Sequence, residues 1–142
     1  MKSGNALPPA PVVHLGSFDT SAVAGEVVEL GSDEVLIPGL VDTHVQVSLA
    51  AVWTEASRRG FDLADVVRWM ATNTADQVGL TDRGRIAVSA VADLVVFAPD
   101  EEFTVDVARL HHKNAVTAYD KLGVRGVVRR TWLASPGLLV RA

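Results

Sequence analysis

The residue types best able to do metal chemistry in this chain fall on one short run, Leu40 to Val47 (LVDTHVQV). Val41, Thr43, Val45 and Val47 alternate there with Leu40, Asp42, His44 and Gln46. That period of two marks a strand with one apolar and one mostly polar face. Residues two apart on a strand point the same way, so Asp42, His44 and Gln46 share a face. An imidazole and a carboxylate so placed could contribute to a divalent metal site, but one of each makes a weak one. The bland reading of His44 is a strand residue that is hydrogen-bonded or at the surface. The other histidines are His14, His111 and His112. Adjacent residues turn both imidazoles toward one ion only through a special turn, so His111-His112 is expected to anchor a loop. There is no cysteine, which excludes disulfides, thiolate metal sites and a Cys nucleophile together. No phosphate-binding glycine pattern and no nucleophile-elbow motif occurs, so a Ser-His-Asp triad could only be drawn from scattered residues.

The elements that must position these groups come in three blocks. Met1 to Pro11 is rich in Pro, Gly and Asn and reads as a loose tail, residues 1–11. Residues 12–142 read as a single composite domain, with strands over 12–47, a helical pair over 50–79 and strands again over 84–142. Short β-type runs at Val12 to Leu15, Glu26 to Leu30 and Val35 to Ile37 are bounded by turn residues. Ala50 to Arg59 predicts a helix closed by Gly60. Asp62 then reads as an N-cap with Asp65 in the first turn. Leu63, Val66, Val67 and Met70 follow as one apolar stripe on a helix running to about Val78. In the last third, Gly84 to Val88, Ala92 to Phe97 and Val124 to Leu133 predict strands. Leu94 to Phe97 is apolar on both faces and should be central in its sheet, with Pro99-Asp100 ending it. The fold class is therefore α+β.

At 142 residues the chain is long enough for one domain with a real core. Its 49% hydrophobic and 21% charged residues are ordinary for a globular protein. A net charge of -4 argues against nucleic acid or an anionic membrane as partner. No apolar run reaches the roughly 18 residues that span a bilayer, and the first residues do not read as a signal peptide. The expected location is cytoplasmic. Trp53, Trp69 and Trp132 are expected in packing, and Arg125, Arg129 and Arg130 on a solvated strand face. Asp100-Glu101-Glu102 is expected to be a charged turn.

Several stretches resemble one family. Val35 to Val47 (VLIPGLVDTHVQV) is similar to the PGLVDTHVHV strand-turn-strand of cyclic amidohydrolases of the allantoinase, dihydroorotase and hydantoinase group. Ala51 to Leu80 resembles the last barrel helices of allantoinases. Gly84 to Phe97 (GRIAVSAVADLVVF) resembles their GRI-x-x-G-x-x-ADLV-x-F segment, Leu110 to Tyr119 (LHHKNAVTAY) their LHHRNPVTPY segment, and Gly126 to Leu133 (GVVRRTWL) their closing strand. The WTEA at Trp53 to Ala56 and the LHHKN at Leu110 to Asn114 favour the allantoinase branch.

The resemblance implies a metal-dependent β/α barrel joined to a small β-sandwich built from both chain ends. A barrel of that type takes about 250 residues. Here the first barrel strand runs at Val47-Ser48-Leu49 almost directly into sequence like the last helices. The expectation is thus a β-sandwich carrying one or two helices left from the barrel. The family's reaction, by resemblance, hydrolyses a cyclic amide C–N bond with two divalent metals, zinc or cobalt, held by a His-x-His pair, a carboxylated Lys, two further His and an Asp. His44 matches the first of the pair and would be a vestigial metal ligand. Gln46 stands where the second belongs, and a Gln amide oxygen replaces imidazole poorly. The other ligands fall in the missing stretch. No tightly bound cofactor and no catalytic residue is expected, and the substrate-binding residues are not legible.

Departures from the family pattern also appear. Val88-Ser89-Ala90-Val91 replaces a stretch that usually holds Pro and Gly, Ala115 and Ala118 stand where the family has Pro, and Thr72-Asn73-Thr74 lacks a usual Pro. Three roles remain open. The chain is an inactive remnant, or a module that pairs with itself or with a full-length amidohydrolase through the stripe of Leu63, Val66, Val67 and Met70, or an enzyme completed by a second chain that supplies the barrel.

Overall fold

A computed structural model describes residues 26–40, 48–110, 116–133 and 138–141. The expected strand at Val12 to Leu15, the tail before it and the run from Val41 to Val47 lie outside the described residues.

Two small sheets frame the described chain. Strand β1 (Glu26–Glu29) pairs in parallel with β5 (Leu138–Arg141). Strand β2 (Val35–Pro38), β3 (Leu94–Thr104) and β4 (Gly123–Trp132) form an antiparallel sheet in the order β2-β3-β4. Leu94 to Phe97 is apolar on both faces and forms the centre of that sheet, with Phe97 fully buried. Burying such a ring contributes about 1.5–3 kcal/mol.

Strand β3 does not stop at Pro99-Asp100 as the turn signal suggested. It continues to Thr104 through an irregularity in register between Ala98 and Glu102 opposite β4. At such a break Pro99 has no ladder bond to donate, so its missing N–H costs nothing there. Asp100, Glu101 and Glu102 are therefore strand residues with charged side chains, not a turn.

Helix α1 (Ser48–Arg58) packs across β4. It buries Leu49, Ala50, Trp53 and Ala56. Its end is closed by Gly60 at φ +84°, with the Phe61 N–H donating to Ala56 O (3.0 Å) and the Gly60 N–H to Ser57 O (3.1 Å). That is the paired bonding of a helix stopped by a left-handed glycine. Helix α2 (Leu63–Val67) starts at a complete capping box: the Asp65 N–H donates to the Asp62 carboxylate (2.8 Å), and the Asp65 carboxylate accepts from the Asp62 N–H.

The expected continuous helix is interrupted. Arg68–Thr72 forms a π-helical turn before α3 (Asn73–Gln77). The extra residue rotates the face that follows it, so that Ala71 and Ala75 come inward, while Trp69, off the stripe of Leu63, Val66, Val67 and Met70, is exposed. The stripe of Leu63, Val66, Val67 and Met70 is not exposed. Val66 is fully buried, and the other three pack half-buried against Ile37, Trp53 and Phe97. The described residues thus supply part of the cover for this face.

Gly84 to Val88 is not a strand but part of a loop strapped to the preceding helix. Thr72 Oγ1 donates to Gly84 O (2.9 Å), Arg85 pairs with Asp76 and Arg83 with Asp93. The Val91 N–H closes the loop on Asp82 O (2.8 Å). Backbone demand is met by side chains and turns, leaving no ladder to join.

Candidate functional site

The elements converge on the α1–β4 seam. The Trp53 indole Nε1 donates to Pro99 O (2.8 Å), tying the helix to the irregular part of β3. Next to it, Thr54 Oγ1 accepts from the Arg125 N–H (2.8 Å) and donates to Ala50 O (2.6 Å). Gly126 sits at φ +98° directly beneath: a Cβ there would run into the Phe97 ring and lie 2.8 Å from Trp53 Cδ1. Only glycine permits both the backbone conformation and the close approach. The seam is packed at Trp53 and Gly126, while other residues of α1 and β4 line two open grooves of about 560 and 570 Å³. Of the other tryptophans, Trp132 is half-buried with the Arg130 guanidinium 5.6 Å from its ring centre, and Trp69 is 39% exposed, edge-on to Phe61 at 5.1 Å.

The charged residues neutralise one another in pairs. Glu55 accepts from Arg58 (2.6 Å) and Arg59 (2.5 Å), and those hydrogen bonds pull its carboxyl down to about 2. Asp106 is lowered chiefly by the Ala108 N–H, with Lys121 adding to it. Arg125 pairs with Asp100 (2.5 Å), and Arg129 lies between Glu101 and Glu34. The basic group on β4 is therefore a solvated, ion-paired strand face, as its sequence suggests.

His44, with Asp42 and Gln46 beside it, lies outside the described residues, and so do His14, His111 and His112. Among the described residues no group of three or more His, Cys, Asp or Glu is placed to hold a metal ion. Their acidic side chains at the sheet and helix ends are taken by arginine: Asp76 by Arg85, Asp93 by Arg83, Asp100 by Arg125. A pair of divalent metals needs imidazole and free carboxylate donors together. The described donor set does not fit them, and no hydrolytic step is derived through it.

Sequence reading missed two features. One is the Trp53–Pro99 anchor, for which Pro99 inside a strand-like run was the available signal. The other is a groove of about 470 Å³ walled by Val52, Phe61, Trp69 and Tyr119. Phe61 and Trp69 stand eight residues apart across the Asp62 cap, a spacing that carries no periodic signal of contact.

Comparison with known proteins places the chain. Residues 51–134 match the model of the amidohydrolase family. The chain is 56% identical over 89 residues to an allantoinase of Streptomyces avermitilis, a match covering 63% of this chain and 20% of that protein. Among solved structures, the D-hydantoinase (dihydropyrimidinase) of a Thermus species matches with a TM-score of 0.59 at 26% identity, over 63% of this chain and 20% of that one. The dihydropyrimidinase of Brevibacillus agri shares the fold with a TM-score of 0.59 at 22% identity, over 66% of this chain and 23% of that one. The chain belongs to the amidohydrolase family. Within it the similarity is to allantoinases, and the chain spans about a fifth of the length of the curated relative matched above. Among the described residues no helix is long and apolar enough to cross a membrane.

Proposed function

We propose that this chain is a non-catalytic remnant of an allantoinase-type cyclic amidohydrolase, carrying sandwich and late-helix segments without a complete hydrolytic site of its own. The observation that carries the reading is the pairing of a 56% identity to an allantoinase with coverage of only 20% of that protein. The whole relative's reaction would add water across a cyclic amide C–N bond, opening allantoin to allantoate, a step of purine catabolism. The described carboxylates support the reading because arginines already occupy them. Gln46 in place of the second histidine of the pair supports it as well. The run from Val35 to Val47 fits a first barrel strand joined at Ser48 to late helices, so that β1 with β5 and the β2-β3-β4 sheet would be the two layers of a composite sandwich. A cytoplasmic setting is part of the same proposal.

The test is allantoin hydrolysis by the purified full chain, with zinc or cobalt added. The reading expects no turnover above the buffer rate. Turnover that rises with metal would contradict it.

A further inference from the structure

We draw no further inference here: the strongest candidate, the open groove between α1 and the segment bearing Phe61 and Trp69, carries only the mutually neutralised Glu55–Arg59 pair beside its apolar lining, and nothing in the structure shows what covers it.

Discussion

At Ser89 the backbone takes φ +69°, a left-handed conformation that a residue with a Cβ adopts at a cost. The GRI-x-x-G segment of the resembled family has Gly at this position. Ser89→Gly should therefore stabilise the chain by about 1 kcal/mol, the steric relief exceeding the added freedom of the unfolded glycine. The midpoint of urea unfolding measures it, and an unchanged or lower midpoint would sink the explanation. The reverse holds at Gly126, where φ is +98° and a Cβ would meet Phe97 and Trp53. Gly126→Ala should cost about 2–4 kcal/mol by the same measurement, because strain and overpacking act together. Glu55 gives a pH test. Its carboxyl is held at about 2 against an ordinary 4.5. Its contribution to stability is present above the ordinary value and is lost as pH falls from about 4.5 toward 2. Comparing unfolding midpoints of Glu55→Gln and wild type through that window should show the gap closing as pH drops, and a gap that is constant with pH would refute the assignment.

The elements show where sequence reasoning reached and where it stopped. The Asp62 cap was legible because its chemistry is local: two carboxylates three residues apart fit two free N–H groups. Asp62→Ala should lower stability by about 1 kcal/mol in a denaturant titration, and a loss below a few tenths would mean that packing alone sets the helix start. The central place of Leu94 to Phe97 was legible for a similar reason, since two apolar faces demand cover on both sides. Other elements depend on partners distant in sequence. Pro99 reads as a stop, but the register break opposite β4 removes the need for its N–H, and Trp53, 46 residues away, takes its carbonyl. Gly84 to Val88 has strand composition, yet Thr72 holds Gly84, Asp76 holds Arg85 and Asp93 holds the preceding Arg83, which keeps the segment in a loop. The π-helical turn has no composition signature, so the inward placing of Ala71 and Ala75 could not be read from helical spacing. Of the candidate site, His44, Asp42 and Gln46 lie outside the described residues, so the sequence alone speaks for them.

For the whole molecule, the account rests on a mismatch of scale. The chain shares 56% identity with an allantoinase over 89 residues but spans 20% of that protein. What it has in common with its family, over residues 51–134, folds here into helices packed on a sheet, with Trp53, Val66 and Phe97 sharing one core with Ile37 of β2. Leu63, Val66, Val67 and Met70 all join that core, Val66 fully buried and the others partly. The described charges pair with one another instead of converging on an ion. The central claim, that this chain holds no complete hydrolytic site, is tested most directly by its metal content. The full chain should be purified from zinc- or cobalt-supplemented medium, and the metal per chain determined by mass spectrometry. The account predicts well below one metal per chain; a value near two would contradict it and would mean that the chain builds a binuclear site.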